Sequence, residues 1–201
     1  MRPGGIPAKF RPGDRPARIW RTGAAATRSH AMTDPLAQLA RQVQVLQDLE
    51  AIKRLKYAYF RCIDTASFAE LEGLLHPQLT TCYVGGSYRI EFDNRAAFLE
   101  AMANAFNAEV ACRHQGHHPE IDVLSEREAT GIWYLHDVFL NLRERIRTEG
   151  TALYRDRYVK QDGRWLIRHQ SYERIYEIVE PIATPPNLTA HYLASHGRRL
   201  P

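Results

Sequence analysis

Residues 113–178 restrict the possible fold more than any other part of the sequence, because they predict four long strands in succession with no helix between them. The predicted strands cover 113–124, 130–142, 151–160 and 164–178. Gln161-Asp162-Gly163 is typical of a tight hairpin between the last two. Long antiparallel strands curl around one another, so we expect a cavity between this sheet and the helices that cover it.

The first half of the chain predicts three helices and a hairpin. Asp34-Pro35 is a favourable helix start, and apolar residues then recur at three- and four-residue spacing from 36 to 63, which predicts one amphipathic helix or two consecutive ones. A short helix is predicted over 68–75, a hairpin over 80–84 and 88–92, and a third helix from the Asn94 cap to Ala105. Helices followed by a four-stranded meander indicate an α+β fold, with the helices on one face of a strongly curved sheet.

The net charge of +4 comes from the first 31 residues and not from the predicted domain. That segment holds seven Lys and Arg residues against one acid, Asp14, which gives +6 and leaves −2 for the rest of the chain. The basic balance therefore gives no support for a nucleic-acid partner. Residues 1–31 are rich in Gly, Pro and Ala and lack apolar periodicity, which predicts a disordered basic extension. An over-extended start before Met32 is the favoured interpretation, and a targeting peptide is the alternative.

The length of 201 residues suits one domain, predicted over 32–180. Residues 181–201 are expected to form a tail that packs on the cavity mouth or on a dimer partner, because their prolines cannot continue a central strand. No apolar run approaches the roughly 18 residues of a membrane span. The three cysteines, Cys62, Cys82 and Cys112, lack Cys-x-x-Cys spacing and fit a reducing compartment. We therefore expect a soluble, cytoplasmic protein without a membrane partner.

Asp137 is an unusual residue in the second predicted strand, because its neighbours on the same face are apolar. Side chains alternate along a strand, so Trp133, Leu135, Asp137 and Phe139 share one side. A buried charge without a partner is costly. This pattern therefore predicts that Asp137 lies in the wall of a polar site inside an apolar cavity.

A set of motifs in fixed order resembles one known family. They are Leu49-Glu-Ala-Ile-Lys-Arg-Leu55, Tyr59 with Asp64, His114-Gln-Gly-His-x-Pro-Glu-Ile121, Gly131-x-Trp133 and Tyr154-x-Asp-x-Tyr-Val-x-x-Asp-Gly-Arg-Trp165. Over roughly residues 36–180 the chain resembles the SnoaL-like branch of the nuclear transport factor 2-like superfamily. The resemblance implies a cone-shaped α+β barrel with one deep pocket, usually assembled as a homodimer or homotrimer. Its members include dehydratases, dehydrochlorinases, ketosteroid isomerases, dioxygenase small subunits and binding modules, so fold alone does not give function.

The eliminating enzymes of this branch use a His–Asp dyad, and His114 with Asp64 match its positions. Tyr59, Tyr83 and Asp137 match the further positions of the bile-acid 7α-dehydratase pattern. The resemblance therefore implies a lyase without a cofactor or a metal.

The chemistry of the residue types agrees with this assignment. Histidine titrates near neutrality, so His114 would act as the base, and Asp64 would fix its tautomer. Tyr59 or Tyr83 would donate to a developing enolate. Asp137 would assist the leaving group if burial keeps it protonated.

The expected substrate is a hydrophobic cyclic molecule, such as a steroid, a terpenoid, an aromatic compound or a polyketide, that loses water or halide. The expected substrate-binding residues are the apolar or aromatic side chains predicted to face the cavity, together with one histidine. They are Trp133, Leu135, Phe139, His118, Phe98 and Met102.

Several alternatives remain open at this point. Asp64 could cap the following helix, Asp137 could pair with Arg155 or Arg157 across the sheet, and His114, His118 and Asp64 could form an iron site. An isomerase would use Asp137 as its base. A small-molecule-binding protein or a dioxygenase small subunit would need no catalytic residue.

Overall fold

The computed structural model describes residues 34–201, and the predicted extension over 1–31 lies outside them. In chain order, the elements are α1 (Pro35–Asp64), α2 (Phe68–Leu74), β1 (Leu75–Val84), β2 (Arg89–Phe92), α3 (Arg95–Ala105), β3 (Val110–Val123), β4 (Glu128–Asn141), β5 (Ile146–Gln161), β6 (Arg164–Pro181) and α4 (Tyr192–His196). Every helix and strand predicted for residues 34–178 is present, with ends that differ by a few residues. The predicted α+β class is confirmed, and only α4 had no counterpart in the sequence analysis.

The six strands form one sheet in the order β2-β1-β6-β5-β4-β3. The four long strands make the predicted antiparallel meander, and β1 joins it by pairing in parallel with β6. Register shifts interrupt the β3–β4 pairing between His117 and Glu120 and the β5–β6 pairing between Thr151 and Ala152. Such bulges bend the strand and strengthen its twist, which helps the sheet to close around the helices.

Helix α1 is one continuous helix of 30 residues, so the prediction of one helix is confirmed and the alternative of two consecutive helices is wrong. Its buried side begins only at Asp48 and then includes Ile52 and Tyr59. Leu39 and Leu46 remain 55% and 64% exposed. The expectation that the apolar stripe faces inward along the whole helix is therefore wrong for its first turns.

A buried ion pair lies in the core between α1 and the sheet. Lys56 is completely buried, and its Nζ lies 2.8 Å from Oδ2 of Asp156, which is equally inaccessible. The ammonium group also lies 3.7 Å from the ring centroid of Tyr154. Tyr158 donates its hydroxyl to Asp156 at 2.8 Å and accepts the Trp133 indole N–H at 2.9 Å. Burial lowers the pKa of Lys56, and the charge of Asp156 opposes that shift.

Helix α3 begins at the cap that the sequence predicted. The side chain of Asn94 accepts a hydrogen bond from the backbone N–H of Ala97 at 2.8 Å. Replacing Asn94 with alanine is expected to lower the free energy of unfolding by about 1 kcal/mol, because one donor of the first helical turn loses its partner. Urea denaturation of the two proteins measures this difference.

The C-terminal segment packs against the start of β3. Strand β6 extends to Pro181, where only β5 pairs with it, so the proline lies at an edge of the sheet. His191 contacts the carbonyl oxygen of Val110 through Nε2 at 2.9 Å, and Leu193 of α4 is buried. None of the described helices is long and apolar enough to cross a membrane.

Candidate active site

A cavity of about 440 Å³ lies between helices α1 and α3 and the sheet, within the usual size range for a small-molecule site. All six strands contribute to its wall. The lining residues are Tyr59, Ile63, Tyr83, Ser87, Tyr88, Ile90, Met102, Ala105, Phe106, His114, Leu135, Asp137, Phe139, Thr148, Tyr154, Tyr172, Arg174, Glu177 and Val179. No residue after Val179 lines it, so the segment 181–201 contributes nothing to its wall.

His114 and Asp64 form a close pair at one end of the cavity. The Nδ1 atom of His114 lies 2.6 Å from Oδ1 of Asp64, and the His114 backbone N–H donates to Oδ2 at 2.9 Å. Asp64 is the last residue of α1, and its carboxylate turns to β3 instead of capping α2, so the capping interpretation is wrong. Within residues 34–201 nothing hydrogen-bonds Nε2 of His114, and this nitrogen remains for a ligand.

Two aromatic rings hold the imidazole of His114 in place. Phe60 stacks parallel to it at a centroid distance of 6.3 Å, and Phe106 meets it edge-on at 5.4 Å. Gly116 allows this arrangement, because a Cβ atom at that position would lie 2.3 Å from Cε2 of Phe60. The side chain of His114 is therefore only 11% exposed while it still lines the cavity.

Asp137 lies in the cavity wall as its strand position predicted, and it is directly opposite His114 in the β3–β4 register. Its partner is Arg174 of β6, which contacts both carboxylate oxygens, with 2.8 Å between Nη2 and Oδ2. The suggested pairing with Arg155 or Arg157 is wrong, because these side chains are exposed on the other face of β5.

Gly150 allows Arg174 to reach Asp137 across strand β5. It stands beside Asp137 in the β4–β5 register and carries no side chain between the two groups. A Cβ atom here would lie 3.4 Å from Nη1 of Arg174 and 2.5 Å from the backbone oxygen of Tyr176.

Arg174 keeps its charge because of its pairing with Asp137. Burial alone would lower the pKa of Arg174, but the hydrogen bonds and the charge of Asp137 outweigh the effect of burial and raise that pKa. The guanidinium group therefore stays charged inside the cavity wall.

A group of tyrosines forms the polar part of the cavity wall beside α1. Tyr59 and Tyr83 are 3% and 5% exposed, and their hydroxyl oxygens lie 3.4 Å apart. Tyr83 donates its proton to the side-chain oxygen of Gln170 at 2.6 Å. Burial raises the pKa of both tyrosines, so both hydroxyls stay protonated at neutral pH. Because the Tyr83 proton goes to Gln170, Tyr59 is the donor in its 3.4 Å contact with Tyr83, and a ligand acceptor would have to replace Tyr83 in that contact.

Three of the six expected substrate-binding side chains line the cavity, namely Leu135, Phe139 and Met102. The other three do not. Trp133 and Phe98 are fully buried in the core, where Phe98 packs against Tyr83 and Phe92 and Trp133 donates to Tyr158. His118 is exposed at a bulge with a φ of 49°, which turns its side chain away from the His114 face.

The possible metal ligands near His114 have the geometry of a hydrogen-bonded group. Asp64, Cys112 and His114 place one ligand atom each within 4.8 Å of one another. The 2.6 Å between Asp64 and His114 is shorter than the roughly 3.3 Å expected between two ligands of a tetrahedral zinc ion with bonds near 2.0 Å. Burial and the Asp64 charge raise the pKa of the Cys112 thiol, so the thiol stays protonated and donates to Oδ1 of Asp64 at 3.5 Å. The iron site proposed with His118 is wrong, because His118 points elsewhere.

A larger surface depression of about 780 Å³ lies away from His114. Its charged lining includes Asp48 and Lys160, whose side chains pair with each other at 2.5 Å. Trp165 also donates to Asp48 at 2.9 Å. These groups satisfy one another, so the depression offers no reactive arrangement comparable to the His114 cavity.

Comparison with solved structures gives the same fold at low sequence identity. A candidate scytalone dehydratase from Novosphingobium aromaticivorans is 20% identical, with a TM-score of 0.62 over 72% of this chain and 99% of the other. A hexachlorocyclohexane dehydrochlorinase (LinA, type 2) is 15% identical, with a TM-score of 0.63 over 73% and 99%. An NTF2-like protein with a cystatin-like fold, also from N. aromaticivorans, is 17% identical, with a TM-score of 0.56 over 71% and 92%.

The curved sheet, the covering helices and the cavity between them give the protein the NTF2-like, cystatin-like fold of the last of these structures. A family model described as a SnoaL-like domain matches residues 44–171. The chain therefore belongs to the SnoaL-like family, as the ordered motifs indicated.

Proposed function

We propose that the protein is a cofactor-independent lyase that removes water or hydrogen halide from a hydrophobic cyclic substrate. The observation that carries this proposal is the Asp64–His114 pair, whose imidazole lines an apolar cavity with no hydrogen bond from residues 34–201 to Nε2. Two of the similar structures, the candidate scytalone dehydratase and the dehydrochlorinase, support it as a class of reaction.

His114 removes the proton in this scheme. The carboxylate of Asp64 holds the proton on Nδ1, so Nε2 presents its lone pair to the substrate. As the C–H bond breaks, its electron pair forms the new double bond, and the electron pair of the other broken bond leaves with the oxygen or halide. The imidazolium that forms is stabilised by the adjacent carboxylate. It then gives its proton to the departing hydroxide, which leaves as water, or to solvent when a halide ion leaves, and His114 is again the neutral base.

Tyr59 is the favoured donor to the developing negative charge, either on an enolate oxygen or on the leaving group. Its hydroxyl donates to the Tyr83 oxygen over a long distance of 3.4 Å, so a stronger acceptor on the substrate can take this hydrogen bond in place of Tyr83. A donor fixed in a water-poor site stabilises such charge more than a mobile one would, because it needs no reorganisation.

Asp137 takes a different role from the one that the sequence suggested. Arg174 contacts both of its oxygens, so the carboxyl group of Asp137 is engaged by the guanidinium group and is not directed at a leaving group. We propose that it orients Arg174 in the wall. The same contacts occupy the oxygens that would take a proton from a substrate, which favours the lyase over an isomerase that would depend on Asp137.

The substrate class follows from the wall of the cavity. Apolar residues such as Ile63, Leu135 and Phe139 and the faces of several tyrosines suit a ring system better than a sugar or a nucleotide.

A homodimer or homotrimer in a reducing compartment remains our proposal for the assembly. The exposed apolar side chains of Tyr134, Ile175 and Val179 and the three free cysteines support it.

The test is a mass-spectrometric screen with hydroxylated and halogenated steroids, terpenoids and aromatic ketones. Wild-type protein is expected to remove water or hydrogen halide from members of one class, and His114→Ala is expected to be slower by about 10²- to 10⁴-fold. His117→Ala is the matched control, since His117 is exposed on the same strand. Binding without turnover, equal in all three proteins, would show a carrier and not an enzyme.

A further inference from the structure

We propose that Tyr172 is a specificity-determining hydrogen-bond donor that binds an uncharged acceptor oxygen of the ligand, such as the carbonyl oxygen of a ring ketone. This inference rests on the proposed function only for the use of the cavity as the substrate site. Tyr172 lies on β6, lines the cavity and is partly exposed. Its hydroxyl has no role in the proposed elimination.

The hydroxyls of Tyr88 and Tyr172 carry two protons, of which the protein uses one. Their oxygens lie 2.7 Å apart, so one hydroxyl donates to the other. Within residues 34–201, the only other hydrogen bond to either oxygen comes from Nε of Arg174, which donates to Tyr88 over 3.3 Å. One phenolic proton of the pair therefore has no acceptor in this part of the chain, and both side chains line the cavity.

The guanidinium group of Arg174 determines which of the two protons is spare. The Tyr88 oxygen accepts a charged N–H, and an oxygen that accepts a hydrogen bond becomes a better donor in the same chain. Tyr88 therefore donates to Tyr172, and Tyr172 turns its own proton to the cavity. Arg174 acts as a positioning residue through Tyr88, while its terminal nitrogens contact Asp137.

Neighbouring aromatic rings hold the Tyr172 side chain in one orientation. Tyr83 stacks on it with 4.5 Å between ring centroids and 13° between planes, and Tyr154 meets it edge-on at 5.2 Å. Burial raises the pKa of Tyr172, so its hydroxyl stays protonated at neutral pH. A donor that is already ordered loses little freedom when a ligand binds, which favours affinity.

The charges of the cavity wall favour an uncharged acceptor. Two carboxylates, Asp137 and Glu177, lie beside one guanidinium, Arg174, and a neutral His114 leaves the wall with one net negative charge. This charge would repel a carboxylate ligand. A ligand hydroxyl could accept from Tyr172, but it would bring a proton that needs an acceptor of its own. A ketone carbonyl accepts the Tyr172 proton and brings none.

Equilibrium dialysis with 1-tetralone and tetralin tests the proposal, because the two probes share one ring system and differ in the carbonyl oxygen. Tyr172→Phe is expected to raise the Kd of 1-tetralone about fivefold, the size of one hydrogen bond between uncharged groups. The Kd of tetralin, which has no acceptor, should change by less than about twofold. The infrared carbonyl stretch of bound 1-tetralone should lie at a lower frequency in wild type than in Tyr172→Phe, which reports the hydrogen bond itself.

The matched control is Tyr176→Phe, which removes a hydroxyl from a 49% exposed position of the same strand and should leave both Kd values unchanged. Tyr88→Phe should weaken 1-tetralone binding less than Tyr172→Phe, because Tyr172 keeps its proton and loses only the polarisation by its neighbour.

Four results would each overturn the proposal. They are an unchanged Kd of 1-tetralone in Tyr172→Phe, equal losses for both probes, a larger loss in Tyr88→Phe than in Tyr172→Phe, and no binding of 1-tetralone to wild type. Dialysis needs no turnover, and repeating it with His114→Ala separates this result from any failure of the lyase proposal.

Discussion

Replacing Lys56 with methionine is expected to lower the free energy of unfolding by about 3–5 kcal/mol. The substitution keeps the length of the side chain but leaves the Asp156 carboxylate buried without its cation, which now lies 2.8 Å away. It also removes the ammonium group from the faces of Tyr59 and Tyr154, at 4.9 and 3.7 Å from their ring centroids. Domains are usually stable by only about 5–15 kcal/mol, so urea denaturation will show the loss clearly.

The double variant Lys56→Met/Asp156→Asn separates this electrostatic cause from loss of packing. Asparagine carries no charge and can still accept the hydroxyl of Tyr158, so the double variant is expected to recover most of the lost stability. Lys53→Met, one turn earlier and partly exposed, is the control and should change the stability little. An unfolding free energy for Lys56→Met within 1 kcal/mol of wild type would contradict the account of this pair.

Asp64→Asn is expected to lower kcat by about 10²- to 10⁴-fold on any substrate that the wild type converts. If the asparagine oxygen accepts the His114 backbone N–H, its amide N–H₂ group faces Nδ1 and favours the tautomer with the proton on Nε2. The imidazole is then no longer a base towards the cavity. If the amide is reversed, its N–H₂ group faces the backbone N–H of His114. Two donors then meet, and the hydrogen bond that this N–H makes to Oδ2 of Asp64 in the wild type, at 2.9 Å, is lost.

The measurement is steady-state kinetics of the folded variant beside Asp122→Asn, which removes a charge from an exposed position of β3, the strand that carries His114. The reduction should appear in kcat more than in KM, since Asp64 does not line the cavity. Turnover of Asp64→Asn within about threefold of wild type would show that the carboxylate does not control the tautomer of His114, because the wrong tautomer costs far more than that.

The local patterns in the sequence were sufficient to predict most elements of the fold. Alternation along β4 placed Asp137 on the inner face, and Asn94 was identified as a cap from its residue type and position. The ordered motifs brought Asp64 and His114 together although 50 residues separate them. That pairing came from the family resemblance, because no local pattern fixes a contact between a helix end and a distant strand.

Bulges explain why simple alternation along β3 and β6 does not predict which residues face the cavity. Strand β6 presents Tyr172 and Arg174 to the cavity and then Glu177 and Val179, because the register shift opposite Thr151 and Ala152 changes the alternation. A prediction that places every second residue of β6 on the cavity face is therefore wrong after Arg174. The bulge in β3 likewise removes His118 from the face of His114.

The sequence did contain an indication that Lys56 is buried beside an acid. It lies four residues after Ile52 and three before Tyr59, so it interrupts the inward stripe of α1 with a charge. A lysine on a buried helical face needs an acid nearby. Which acid it meets could not be derived, because Asp156 is 100 residues away and reaches Lys56 only through the curvature of the sheet.

In the proposed mechanism the imidazole of His114 removes a proton from the substrate. The most direct measurement of this step is the turnover rate of His114→Ala on a converted substrate, without and with added imidazole. We expect turnover to be lost in the variant and to rise with the concentration of free-base imidazole, which can occupy the space that the side chain leaves. A folded His114→Ala protein that turns over at the wild-type rate without imidazole would contradict it.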